Sequence, residues 1–152
     1  MSGPRATIGS VFLTARDIER IPAGNIHVPR DQFVALWSAA EWHLEDQARC
    51  GVVDWYGAGV VMTCRWLACA TVRPSTGAWY IASAPVTESR RLAYEELIEA
   101  ECLAAEKLDM RRPVPVWVAN RPGWLDGVLA TLNWAWRRTS GPPLDISASA
   151  AG

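Results

Sequence analysis

Asp54 to Thr71, DWYGAGVVMTCRWLACAT, is the longest apolar run in the chain, and from Trp55 to Thr71 its only charge is Arg65. On a helix, at about 100° per residue, its apolar side chains cover nearly the whole circumference. Val53, Val60, Cys64 and Leu67 share one side; Trp55, Met62, Trp66 and Cys69 share another. A helix that is apolar all round is a central core helix or a membrane span. Arg65 would lie inside the bilayer at a cost of a few kcal/mol or more, and no flanking Lys/Arg cluster orients a span. The stretch therefore predicts a core helix over about 53–71. Gly57 and Gly59, with Ala58 between them, weaken it intrinsically. They either let a neighbouring helix approach closely or leave room for a ligand.

Outward from this segment, 29–51 reads as a helix over 30–49. Pro29 opens it, and Phe33, Leu36, Trp37, Ala40 and Leu44 form one stripe. Gly51 ends it, and the short link to the central helix predicts a helical hairpin. Towards the N-terminus, Thr14 to Asp17 has the spacing of a capping box opening a short helix through Arg20, and Ile21 to Asn25 reads as a turn. Residues 1–10 have little pattern and are expected to be loose.

On the other side, 73–77 reads as a loop. Residues 78–84, AWYIASA, have strand character but no clear partner, so extended loop is expected. Thr87 as N-cap predicts a helix over 87–109. Trp117 falls on a short turn ending near Asn120, and Pro122 opens a last helix over 122–138. Its broad face carries Trp124, Leu125, Val128, Leu129, Leu132 and Trp136, with Trp134 on the other side near Arg137 and Arg138. No internal repeat is apparent. The expected fold is all-α: a single-domain bundle of four main helices over 1–139, with short extra helical turns and a disordered tail over 140–152.

At 152 residues, 50% hydrophobic and 20% charged, the chain can bury a proper core. A net charge of -1 provides no global field to attract nucleic acid. Fourteen Arg to one Lys, on an Ala-rich background, indicates a GC-rich bacterial genome. Met1 to Ser10 has no signal core, and Cys50, Cys64, Cys69 and Cys102 form no CxxC. A cytoplasmic protein with reduced thiols is expected.

Catalytic signatures are missing. There is no phosphate-binding Gly loop, GxSxG or HExxH, and with only His27 and His43 no His-rich metal site can form. No cofactor or metal is expected. The most informative polar residue is Glu101, centred on the stripe of Tyr94, Leu97, Ile98, Ala104, Ala105 and Leu108. A carboxylate there requires a partner, Arg65 or a Trp indole N–H, or else it serves a ligand-binding or catalytic pocket. Arg90–Arg91, Arg111–Arg112 and Arg137–Arg138 could meet phosphates, with Trp134 as a stacking platform, which would suit a DNA-associated regulator. Nine Trp are more than one small core needs, and Trp42, Trp55, Trp117 and Trp134 are the surplus. The leading expectation is a small cytoplasmic protein–protein interaction module or homo-oligomer without catalysis. Its candidate contacts are Glu101, Trp117, Trp134, Arg137 and Arg138.

Overall fold

The structure, a computed structural model, describes residues 9–10, 13–74 and 76–146. The chain is mostly helical. In order it runs β1 (Gly9–Ser10), α1 (Ala15–Glu19), a 3-10 turn (Ala23–Asn25), α2 (Arg30–Arg49), α3 (Trp55–Leu67), β2 (Thr71–Pro74), β3 (Tyr80–Ile81), α4 (Glu95–Met110), α5 (Val116–Ala119), α6 (Trp124–Leu132) and a π-helical turn (Asn133–Arg137).

The apolar run folds as a shorter helix than its hydropathy predicts. Asp54 caps it: its carboxylate accepts from Gly57 N–H, satisfying one of the first-turn donors. At the other end Cys69 turns left-handed at φ 54. Cys69 N–H then donates to the Trp66 carbonyl and Ala70 N–H to the Arg65 carbonyl, a Schellman closure built on a non-glycine residue. Gly51, at φ 73, closes α2 in the same way.

Because α3 stops at Leu67, the chain is free to extend at Thr71. Three short strands form an antiparallel sheet in the order β1-β2-β3, with Thr71 opposite Ile81 and Val72 opposite Tyr80. The mostly helical chain expected from the sequence carries this small sheet in addition: 80–81, expected as extended loop, is a strand, and it pairs with Thr71, the last residue assigned to the central helix, and with Val72. The expected loose N-terminus contributes Gly9–Ser10 to the same sheet, and Pro143, Leu144 and Ile146 lie against the body. Tyr56 Oη donates to the Pro143 carbonyl, and Leu144 and Ile146 pack on the core. The remainder of the segments expected to be loose or disordered, 1–8 and 147–152, falls outside the described residues.

The helix expected over 87–109 begins instead at Glu95, with Tyr94 at the N-cap position. Thr87 cannot cap it, because its hydroxyl and N–H both donate to Glu101, and Glu88 sits at φ 62 inside a tight turn from Ala84 to Ser89.

The core is organised by the crossing of α3 and α6. A Cβ on Gly59 would run into the backbone of Trp124 and Val128, and a Cβ on Gly127 into the backbone of Tyr56 and Val60. The two helices touch main chain to main chain, so the small residues serve close helix approach rather than a ligand. A short pattern recurs at this crossing: Gly59-Val60-Val61-Met62-Thr63-Cys64-Arg65-Trp66 matches Gly127-Val128-Leu129-Ala130-Thr131-Leu132-Asn133-Trp134. In both copies the Thr hydroxyl donates 2.8 Å back to the Gly carbonyl, and the Trp is buried. The likeness is confined to the four shared positions, Gly, Val, Thr and Trp. α2 covers α3 with Phe33, Leu36, Trp37 and Ala40, and α4 covers α6 with Ile98, Cys102, Ala105 and Leu108.

Gly59→Ala and Gly127→Ala are expected to destabilise the fold by about 2–3 kcal/mol each, because a backbone cannot step aside as a side chain can. The gain of about 1 kcal/mol in helix propensity is too small to reverse the sign. Urea unfolding checks this; either variant matching wild type would show that the helices do not meet there.

Candidate functional site

Glu101 is 1% exposed, as its place on the apolar stripe requires. Its partners are neither of those expected. Oε2 accepts from Val86 N–H and from Thr87 N–H at 3.1 Å, and Oε1 accepts from the Thr87 hydroxyl at 2.8 Å. The carboxylate is therefore the anchor of the 84–89 turn, one oxygen accepting from two backbone N–H groups and the other from a hydroxyl. The partners predicted for Glu101 belong to Glu41. Arg65 grips Glu41 with two donors at 2.8 and 2.9 Å, and the Trp37 indole N–H donates to it at 3.1 Å. Arg65 lies on the α2 side of α3, which the all-round apolar pattern could not specify.

The basic clusters are distributed differently from one another. Arg137 donates to Glu99 and Glu106, each at 3.1 Å, so the cation nearest the expected platform is already neutralised. Trp134 is 5% exposed. This corrects the expectation that it faces solvent: the π-helical turn inserts an extra residue and rotates Trp134 and Ala135 into the core. Trp136 instead stacks on His27, at 4.1 Å between ring centroids. Arg138 is exposed at φ 59. Arg90 and Arg91 lie in the loop before α4, with Arg91 5.7 Å over the Tyr94 ring. Arg111 and Arg112 follow α4, and Arg112 donates to the carbonyls of Asp109 and Arg111.

Trp117, 40% exposed, packs edge-on against Trp124. Arg121 lies over Trp55, Trp117 and Trp124 at 5.5–5.7 Å from each ring. The three indoles surround the protein's own guanidinium, which fastens α5 to the α3–α6 pair.

A different surface gathers exposed aromatic area and small residues on one regular element. The outward face of α2 brings Ala35, Ser38, Ala39, Trp42, His43, Asp46 and Arg49 together as an open surface patch. Trp42 is 63% exposed. At its edge His43 Nε2 lies 2.7 Å from Asp54 Oδ2, clasping α2 to the cap of α3. Gly57 makes room for this clasp, since a Cβ there would come within 2.6 Å of Asp54 Oδ2. Sequence reasoning noted Trp42 but not the patch of small residues beside it. The available signal was the set of α2 positions opposite Phe33, Leu36, Trp37 and Ala40. An outer helix face is ordinarily charged; here its middle carries Ala, Ser and Trp.

Among the described residues no group of three or more His, Cys, Asp or Glu is placed to hold a metal ion, and no helix is long and apolar enough to cross a membrane. Cys50 is exposed, whereas burial pushes the thiols of Cys64 and Cys69 up, and that of Cys102 from 9.0 to about 11 despite the Arg137 guanidinium beside it.

Glu101→Leu is expected to leave the Val86 and Thr87 N–H groups unpaired, at about 1–3 kcal/mol for each. Adding Arg65→Met should not recover the loss, because Arg65 answers to Glu41; a double-mutant cycle between 65 and 101 should give near-zero coupling, and strong coupling would contradict the assignment.

The buried thiols set an alkaline limit. In the unfolded chain Cys102 ionises near its ordinary value of 9.0, and in the fold near 11. A raised folded pKa means the stabilisation is intact below pH 9.0 and is lost as pH climbs towards 11. Denaturation midpoints of wild type should fall across that window, with a shallower slope in Cys102→Ala; equal slopes would count against it.

Comparison with protein-family models, curated proteins and solved structures returned no match to this chain.

Proposed function

We propose that this protein acts by binding another protein chain, without catalysis, through the outward face of α2. One observation carries this reading: α2 is the longest helix, and its solvent side presents Trp42 beside Ala35, Ser38 and Ala39 where charges would be ordinary. A large aromatic next to small residues is the composition of an interface centre, where an anchor of one partner fills a shallow hollow of the other. The helices α2, α3, α4 and α6 are read as a bundle that holds this face rigid, with the backbone contact of α3 and α6 at its middle. A cytoplasmic location belongs to the same reading.

Two alternatives have less support. A DNA-associated role through Arg90, Arg91, Arg111, Arg112, Arg137 and Arg138 loses Arg137 to Glu99 and Glu106, and loses Trp134 as a stacking base. A pocket around Glu101 has less support because both carboxylate oxygens already accept from the 84–89 turn.

Replacing Trp42 by a photo-crosslinking phenylalanine analogue tests the reading in living source cells. A discrete adduct to a protein chain, absent when the probe is moved to the exposed Lys107, is expected. No adduct from position 42 would refute it.

A further inference from the structure

From Met110 to Asn120, between α4 and α6, none of the eleven residues is buried, and only Pro115 and Val118 are partly covered. The segment stands off the body of the protein. Its apolar side chains face outward: Met110 and Val116 are 71% and 73% exposed, and Val114 and Trp117 are exposed as well. The segment is nevertheless fastened. Val118 packs on the core, Trp117 meets Trp124 edge-on, and Arg121 lies over three indoles. Pro113 and Pro115 restrict the backbone between these points. The exposed apolar side chains are therefore presented by a fixed loop, with little ordering left to do on binding.

The charge of the same stretch is one-sided. Lys107 to Arg121 carries four cations, Lys107, Arg111, Arg112 and Arg121, and one acid, Asp109: a net charge of +3 in a chain whose net charge is -1. Arg112 donates to the carbonyls of Asp109 and Arg111, which uses hydrogen bonds but cancels no charge. The carboxylates of neighbouring elements are engaged or turned away. Glu106 pairs with Arg137, and Asp54 with His43 and the first turn of α3. Asp126 follows Trp124 by two residues, so it lies about 160° round α6 from the ring that Trp117 meets. A protruding apolar tip set among cations fits an anionic medium with an apolar interior. A protein partner would need an acidic pocket matched to the tip, whereas a bilayer yields to any convex shape. Met110, Val114 and Val116 suit the acyl region, Trp117 the headgroup level with its indole N–H in the polar layer, and Arg111 and Arg112 the phosphates.

We propose that the 110–120 loop docks the protein on the surface of an anionic lipid bilayer. The contact is made from one side: among the described residues no helix is long and apolar enough to cross. It is independent of the outer face of α2. Few apolar side chains insert, and each basic residue near an anionic surface strengthens attachment by only about fivefold. Binding therefore needs both contributions together, is reversible, and falls as salt rises.

Co-sedimentation of the purified full chain with vesicles tests this, using phosphatidylcholine alone and an equal mixture with phosphatidylglycerol, with circular dichroism to verify that each variant keeps its helix. Wild type should pellet with the mixed vesicles and not with phosphatidylcholine alone, and high salt should release it. Val116→Asp should weaken binding by about tenfold or more, because a charge replaces an inserting side chain. Replacing Arg111 and Arg112 together by Ala should weaken it by about 25-fold, and replacing both by Lys should retain most of it. Wild type that stays in the supernatant with the mixed vesicles would overturn the proposal. So would binding indifferent to Val116→Asp, because attachment would then be by charge alone. A photo-crosslinking analogue at position 116 that yields a discrete protein adduct in source cells, with no vesicle binding by the purified chain, would overturn the bilayer and assign the loop to an acidic protein partner.

Discussion

The contact on which the other elements depend is the backbone-to-backbone crossing of α3 and α6 at Gly59 and Gly127. Side chains set the ordinary distance between helices; removing them at the crossing brings the two axes closer than any other residue allows. The surrounding large side chains, Trp66, Trp124, Val60 and Val128, then close around a narrow waist, and all four are buried. The Thr hydroxyls that bond back to the Gly carbonyls keep each helix satisfied without demanding a partner across the crossing. Once this pair is in place, α2 and α4 have their seats: α2 on α3, with Glu41 and Arg65 paired across the contact, and α4 on α6, with Glu106 paired to Arg137 of the π-helical turn that follows α6.

Buried polar side chains do a second job, which is to hold irregular chain where propensity alone would not. Glu101 gathers the turn at 84–89. Asn25 donates to the carbonyls of Leu67 and Ala93, joining the 3-10 turn to the end of α3 and the approach to α4. Asp17, 4% exposed, caps α1 through Thr14 and lies 3.7 Å from Arg73 of β2. Each group is costly to bury alone and inexpensive once its donors are supplied, so each fixes one loop to one place. Groups so engaged have little capacity left for a ligand, which moves the functional interest to the surface.

The tryptophans divide accordingly. Trp37, Trp66, Trp124 and Trp134 are core; Trp55 and Trp136 are half-buried and occupied with Arg121 and with His27; Trp42, Trp79 and Trp117 are exposed. Only Trp42 stands on a long, regular helix among small neighbours, where a rigid face can be matched by another rigid face.

Local pattern alone determined several features here. Thr14 and Asp17 form a reciprocal cap because both partners lie within one turn. Pro29 and Gly51 bound α2, and Phe33, Leu36, Trp37 and Ala40 are its inner stripe, because a single buried face leaves an unambiguous period. Glu101 was legible as a buried carboxylate for the same reason. What only the tertiary structure decided involves choices between remote partners. Arg65 takes Glu41 rather than Glu101, since an all-apolar helix has no phase that reveals which neighbour each side meets. Thr71 becomes strand because Ile81 is there to receive it. Thr87 abandons the helix cap for Glu101. Trp134 enters the core through one extra residue in a π-helical turn, a change of register that a 3.6-residue period cannot anticipate. The exposure of Trp42 on α2 depends on where the other described elements pack, which no local pattern specifies.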